Sequence, residues 1–190
     1  MEIEIVRATR KDTAVLRQLY ELYEHDFSEY THADVGETGM YTDDGFLTDY
    51  WREPKWSAFL VRVDHKLAGF AWVLRTTLFG PDAEHGTPAQ LTALVDSGLL
   101  GLDLDTHVLI EEFFIMRKYR RKGIGEYVAR HLFSRFPGVW EVSEMVENTP
   151  AQAFWRKVID RYTNGNCVEV NLQTSMWHGP VQVFRSRTGN

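Results

Sequence analysis

The stretch His107-Val-Leu-Ile-Glu-Glu-Phe-Phe-Ile-Met-Arg-Lys-Tyr-Arg-Arg-Lys-Gly-Ile-Gly125 decides the fold. Residues His107 to Met116 form a nearly unbroken apolar run, the pattern of a central strand buried on both faces. After the glycines, Ile124, Val128, Ala129, Leu132, Phe133 and Phe136 recur at helical spacing until Pro137-Gly138 stops the helix. Between strand and helix, five of the six residues from Arg117 to Lys122 are basic. A helix N-terminus exposes unpaired backbone N–H groups and about half a positive charge. Glycines there let the backbone approach an anion, so the turn reads as a pyrophosphate cradle. It lacks the long G-x-x-x-x-G-K-[ST] spacing of a P-loop. As a dinucleotide fingerprint it fails at Val128, where the third glycine belongs. Taken alone, an ordinary solvated basic turn explains it equally well.

Working outward, Glu2 to Val6 alternates like a strand, and Thr9-Arg-Lys-Asp12 has the form of a capping box with Asp at its fourth position. Val15, Leu16, Leu19, Leu22, Tyr23 and Phe27 then predict a helix over about Lys11 to Ser28. Tyr30 to Trp56 reads as a loop with a short helix near Gly45 to Trp51. Ala58 to Val63, the turn at Asp64 to Lys66, and Leu67 to Thr77 predict a β-hairpin. Gly80 to Asp105 is a long connection with a short helix over Pro88 to Leu94, and connections of that length are often functional. Val139 to Val146 is a further strand. Asn148-Thr-Pro150 starts a helix whose buried stripe is Ala151, Phe154, Trp155, Val158, Ile159 and Tyr162. Val168 to Thr174 and Pro180 to Arg185 are closing strands. The pattern is mixed α/β in one domain over residues 1–190, without linkers or repeats.

Length and composition are consistent with that. The chain has 190 residues, 44% hydrophobic and 13% aromatic, enough for a core without a disulfide or metal staple. A single cysteine, Cys167, permits no intrachain disulfide. The start lacks the features of a signal peptide, and no stretch approaches the roughly 20 apolar residues of a membrane span. The expectation is a cytoplasmic protein with no membrane partner. The seven histidines show no metal-ligand spacing, so no metal is expected. A net charge of −6 argues against nucleic-acid binding. Glu21 to Glu53 carries ten acidic residues against one arginine, Arg52, so this region either attracts a cation or is solvated surface. The aromatics Tyr20, Tyr23, Phe27, Tyr30, Tyr41, Phe46, Tyr50 and Trp51 lie within the same acidic region. They are candidates for the wall of a pocket for a cationic amine, with core packing as the plainer explanation.

A second motif shifts the weight. Asn148-x-x-Ala151-x-x-Phe154-Trp155-x-Lys157 follows the glycines by some 25 residues, on the helix after the next strand. With Arg120-x-x-Gly123-x-Gly125, in this order and spacing, the chain resembles the GNAT superfamily of N-acetyltransferases. The similarity is specific over about His107 to Tyr162 and looser before it. It implies an α/β fold with a mixed sheet of about six to seven strands, helices on both faces and a splayed central strand pair. It also implies acetyl-coenzyme A as co-substrate. The pantetheine arm would bond to the backbone of Phe114, Ile115 and Met116 like an added strand. There a backbone N–H would stabilise the oxyanion. The pyrophosphate would be wrapped by Arg120, Arg121, Lys122, Gly123, Ile124, Gly125 and Glu126, mainly through main-chain N–H groups. Asn148 and Phe154 would line the cofactor's outer wall.

The implied reaction is direct attack of an amine, on a small molecule or peptide, upon the thioester. An alkylamine has a pKa near 10.4, so a base must take its proton. Glu111 and Glu112 are adjacent carboxylates in an apolar strand. Neighbours on a strand face opposite ways, so at most one faces the reaction without a bulge. Burial would raise that carboxylate's pKa usefully. The resemblance tips towards Glu111, whose strand phase matches the family's usual base; a plain salt bridge is the alternative for each. Many relatives carry at position 155 a tyrosine that protonates the leaving thiolate. Trp155 cannot do so, and no other residue is assigned that role. A non-catalytic acyl-coenzyme A binding or regulatory module is therefore the competing function. A nucleotide-dependent oxidoreductase would rest on Gly123-Ile-Gly125 alone. A homodimer is compatible with the sequence.

Overall fold

The computed structural model describes residues 1–43, 45, 47–48, 50–76, 107–173 and 177–186. Its elements, in chain order, are β1 (Ile3–Arg7), α1 (Thr13–Thr31), β2 (Trp56–Val63), β3 (Lys66–Thr76), β4 (His107–Ile115), α2 (Ile124–Arg135), β5 (Val139–Ser143), α3 (Thr149–Thr163), β6 (Cys167–Gln173) and β7 (His178–Arg185). The strands form one mixed seven-stranded sheet in the order β1-β2-β3-β4-β5-β7-β6. Only β4 and β5 are paired in parallel among the described registers, as a strand–helix–strand crossover requires. Their ladder runs from His107↔Val139 to Ile110↔Val142, whereas β4 itself continues to Ile115.

The chain divides into two compact units, Met1–Val73 with Glu111–Gly125, and Leu74–Ile110 with Glu126–Asn190. In the first, the Asp12 carboxylate accepts the backbone N–H and the hydroxyl of Thr9, at 2.8 and 2.9 Å, before the start of α1. The helix buries Leu16 and Leu19 against Ala58 and Leu60 of β2, Phe70 and Trp72 of β3, and Phe114 of β4. It ends at His32, which takes the left-handed conformation and donates its N–H to Ser28. A two-residue turn joins β2 to β3. Asp64 and His65 both have positive φ, 48° and 60°, the geometry that matches strand twist in tight hairpins. Gly69 of β3 lies against β4 so closely that a Cβ there would sit 1.9 Å from the Phe114 carbonyl oxygen. No side chain fits at that position.

In the second unit, Val128, Ala129, Leu132 and Phe133 of α2 are fully buried, as their 3.6-residue spacing predicts. Phe133 packs edge-on against Trp140 and Phe184, with ring centroids 4.9 and 4.8 Å away. Truncating such a ring typically costs about 3–5 kcal/mol. Asn148 caps α3 by accepting the Ala151 N–H at 3.1 Å, with Pro150 in the first turn.

Two elements end elsewhere than their sequence pattern implies. The strand expected over Val139 to Val146 stops at Ser143. Beyond it the Met145 and Val146 carbonyls are taken by the Gln152 side-chain amide, at 2.8 and 3.0 Å, which folds the segment into the helix entry. Near Gly45 to Trp51, the described residues Gly45, Leu47, Thr48, Tyr50 and Trp51 lie in turns. The helix expected over Pro88 to Leu94 falls outside the described residues. Among those described, no helix is long and apolar enough to cross a membrane.

Candidate active site

The first unit assembles three features around the end of β4. The first is the basic turn. Arg121, a non-glycine residue, has φ +61°, and Gly123 has φ +78°. These left-handed residues coil the backbone immediately before the first turn of α2, whose N–H groups have no intrahelical acceptors. The space where a Cβ of Gly123 would sit is open, with nothing within 4 Å. Arg121, Lys122 and Gly123 are exposed, while Ile124 is fully buried and anchors the helix start. Donor set and open space both fit a diphosphate.

Not all of the basic segment is available to it. Arg117 and Arg120 both turn back onto Asp26 of α1. Arg120 also donates its Nε–H to the Ile115 carbonyl at 2.6 Å and its backbone N–H to Arg117 at 3.2 Å. Its guanidinium lies 5.7 Å over the Phe114 ring. Arg120 thus braces the turn against β4 and α1. The pair of arginines holds the Asp26 carboxyl below its usual range, against the upward pull of burial. The acidic stretch is likewise partly structural: Glu21 accepts the N–H groups of Tyr41 and Thr42 at 2.7 and 3.0 Å.

The second feature is the edge of β4. Met116 donates its N–H to Ala68 of β3 at 2.8 Å. Backbone groups of consecutive strand residues point to opposite edges. Ile115 and Phe113 therefore present theirs on the edge away from β3, past the point where the β4–β5 ladder ends. Of the backbone expected to receive an added strand, the Met116 N–H and the Ile115 carbonyl already have partners within the protein. Phe113, which the sequence reading passed over, shares the outer edge.

The third feature is the glutamate pair. Glu111 is exposed. Glu112 points among aromatic rings and accepts the Tyr20 hydroxyl at 3.3 Å. Burial pushes the Glu112 carboxyl up to about 7, helped by the negative charges of Glu111 and Glu24 and opposed by hydrogen bonds from Tyr23 and Tyr20. Both tyrosines are driven far up in turn, first by burial and then by the charge of Glu112. Tyr20 stacks on Trp72, with centroids 5.0 Å apart and planes within 5°, and Tyr23 meets Phe70 and Phe114 at 5.9 Å. The spacing of Tyr20, Tyr23, Asp26 and Phe27 on the core-facing side of α1 was the available sign that polar atoms there would meet buried partners.

Asn148 and Phe154 lie in the second unit, the first as the α3 cap and the second half-buried. Trp155 is 5% exposed and its ring packs against Phe154 and Phe133, so its indole serves the core. Cys167 is half-buried, and burial raises its thiol, which disfavours the reactive thiolate. Among the described residues, no group of three or more His, Cys, Asp or Glu side chains is placed to hold a metal ion.

The turn and the strand edge are the features that the sequence resemblance anticipates, and the model of the acetyltransferase (GNAT) family matches residues 16–159. The chain belongs to that family. The mixed seven-stranded sheet agrees with solved GNAT structures. An acetyltransferase from Thermus thermophilus is 14% identical, with 97% of each chain covered and a TM-score of 0.62. Arabidopsis thaliana NAA60, in complex with a bisubstrate analogue, is 15% identical over 96% of each chain, with a TM-score of 0.57. An aminoglycoside acetyltransferase from an uncultured soil metagenomic sample, in complex with sisomicin, is 16% identical over 82% of this chain and 86% of that one, with a TM-score of 0.53. These likenesses concern the GNAT fold. No curated protein matches the chain in sequence.

Proposed function

We propose that residues 1–190 act as one N-acetyltransferase domain, moving acetyl from acetyl-coenzyme A to an amine by direct attack, with Glu112 as the base. The supporting observation is that Glu112 of β4 sits half-buried against the tyrosines of α1, with its carboxyl pushed up to about 7. A general base works best with a pKa near the operating pH. Glu111, exposed and on the other strand face, lacks that environment. This moves the preference away from Glu111, because burial outweighs strand phase in setting basicity.

Acetyl-coenzyme A supplies the activated thioester when bound. The N–H groups of Arg121 to Glu126 and the side chains of Arg121 and Lys122 would hold its diphosphate, with Arg120 positioning the turn. The Ile115 N–H, on the outer edge of β4, would pair with the pantetheine arm. Asn148 and Phe154 keep the cofactor-lining role that the family resemblance implies. Glu112 accepts the proton released from the amine as the N–C bond forms and the C–S bond breaks. The sulfur leaves as a thiolate, whose conjugate thiol has a free pKa near 8.5, and takes its proton from water without a dedicated acid, which suits a buried Trp155.

The solved neighbours include enzymes named for an aminoglycoside and for the alanine of a ribosomal protein. The donor side thus tolerates very different amines, and this chain's acceptor is set by its own residues. Thiol release from acetyl-coenzyme A over a panel of amines, followed from pH 5 to 9, tests the proposal. Release should depend on the amine and rise to a plateau through about pH 7, as Glu112 loses its proton. A folded protein whose melting point rises with coenzyme A but which turns over no amine would be a binding module instead.

A further inference from the structure

Leu16, Leu19 and Tyr23 of α1 pack into the core of the first unit, and Asp26 follows three residues after Tyr23 on the same side of the helix. Its side chain is 17% exposed. A carboxylate drawn that far out of water needs cations or donors around it. Two guanidinium groups meet the need. Arg117 donates its Nε–H to Asp26 Oδ1 at 2.9 Å, and Arg120 reaches Oδ2. Both arginines are thereby gathered at one carboxylate, and without that anion their like charges would repel.

What the pair holds is the entry to the glycine turn. Tyr119 donates its backbone N–H to Met116 at 2.8 Å and Arg120 to Arg117 at 3.2 Å, so the chain closes tightly from Met116 to Arg120. Arg120 is then fixed from three directions: by Asp26, by the Ile115 carbonyl at 2.6 Å and by the Phe114 ring. The next residue, Arg121, has φ +61°. A residue with a side chain keeps that conformation only where its surroundings over-determine it. The hold on Arg120 thus sits one residue before the strained one. It also divides the basic segment, with Arg117 and Arg120 as scaffold and the exposed Arg121 and Lys122 turned to solvent.

We propose that Asp26 is a positioning residue for the donor site. By neutralising and holding Arg117 and Arg120, it keeps the left-handed turn from Arg121 to Gly123 in the shape that receives a diphosphate. This rests on the transferase reading above and concerns only its donor half. The opposite arrangement would have Asp26 compete with the diphosphate for the two arginines, so that its removal tightens binding. The bonds of Arg120 to the Ile115 carbonyl and the Phe114 ring favour the first, because they commit that side chain to β4 as well as to α1.

Coenzyme A is titrated calorimetrically into wild type, Asp26→Asn, Asp26→Glu, Arg117→Gln and the double variant Asp26→Asn with Arg117→Gln, after melting points without ligand have shown each to be folded. Asp26→Asn should raise Kd by about tenfold, the scale of one charge-assisted hydrogen bond. Asp26→Glu keeps the charge and should recover part of that loss. Arg117→Gln alone should cost about threefold at most, since Arg117 is the more exposed of the two arginines. In the Asp26→Asn background it should restore binding in part, because Arg120 then faces no second cation. A merely structural Asp26 would give additive losses instead. In thiol release, KM for acetyl-coenzyme A should rise with Kd, while kcat at saturation and the pH midpoint stay near wild type. Unchanged or tighter binding in Asp26→Asn, or no rescue by Arg117→Gln, overturns the proposal. If Asp26→Asn does not fold, Asp26→Glu decides: a several-fold higher Kd at an unchanged melting point supports the role, and an unchanged Kd refutes it. The predicted pattern of Kd values in a protein that turns over no amine would uphold the positioning role while refuting the transferase reading. Turnover with binding indifferent to Asp26 would do the reverse, and a wild type that does not bind coenzyme A would refute both.

Discussion

Glu112, half-buried within β4, and Glu144, buried just past β5, are both carboxylates drawn out of water, and the protein treats them differently. Glu112 receives tyrosine hydroxyls, so its proton affinity is raised only to about 7. Glu144, 4% exposed just past β5, has both oxygens without a partner in hydrogen-bonding geometry among the described residues. Its carboxyl is driven up to about 8, first by burial, with the Gln182 amide close enough for partial relief and Glu169 adding repulsion. The fully buried Gln182 commits its amide to Glu169 at 2.8 Å, and Arg156 holds that same carboxylate with two bonds of 2.7 and 2.8 Å. Burial raises both carboxyls, and the donors that face each one offset part of the rise. Burial with donors makes a base that still ionises near neutrality.

The largest test of this contrast is catalytic. Glu112→Gln should lower kcat/KM for thiol release by about 10²–10⁴-fold, the usual worth of a general base. It should also flatten the rise through about pH 7 that the wild type owes to this carboxyl. Glu111→Gln should change the rate far less and leave the pH midpoint within about half a unit, since it acts on Glu112 only through charge. Equal losses in the two variants would remove Glu112 from its role.

The next effect is on stability. Glu144 has a folded-state pKa of about 8 against an ordinary 4.5. Below the unfolded value both states hold the proton and folding loses nothing. As pH rises from about 4.5, the unfolded chain ionises first, so stability falls until the folded carboxyl also ionises near 8. Glu144→Gln cannot ionise and should be more stable than wild type above pH 8, by an amount on the order of a few kcal/mol. The difference should shrink steadily towards pH 4.5. Denaturant melts at pH 5, 7 and 9 read it directly. A gap that is constant across this range would mean that Glu144 is not the titrating group.

Periodicity in the sequence was enough to place most of the elements. The apolar stripe of α2, the hairpin around Asp64-His65 and the Asn148 cap are local matters, governed by side-chain spacing and a few backbone bonds. The cradle at Gly123 was legible because a strand–turn–helix anion site is built from consecutive residues. What escaped depends on partners far away in the chain. Arg120 reads as a phosphate ligand until Asp26, 94 positions earlier, is seen to hold it. The choice between Glu111 and Glu112 rests on which face of β4 meets Tyr20 and Tyr23, and strand alternation says only that they differ. Gly69 looks unremarkable beside Phe114 until the two strands are paired. Burial and long-range charge pairing belong to tertiary structure, so a motif identifies the donor site long before it identifies the base.

The smallest effect separates the two carboxylates most cleanly. Tyr20→Phe keeps the ring that stacks on Trp72 but removes the hydroxyl that Glu112 accepts at 3.3 Å. That hydrogen bond favours the ionised form, so its loss should move the Glu112 carboxyl further above 7 rather than back towards 4.5. The rising limb of the pH–rate profile should shift to higher pH by roughly half a unit, and the plateau should stay near the wild-type level, because a deprotonated Glu112 remains a competent base. The removed bond is long, and Tyr23 still donates to Glu112, so a larger shift is not expected. A limb that moves down instead would mean that the phenol acts mainly by excluding water. Glu112 would then be, like Glu144, a carboxylate governed mainly by burial.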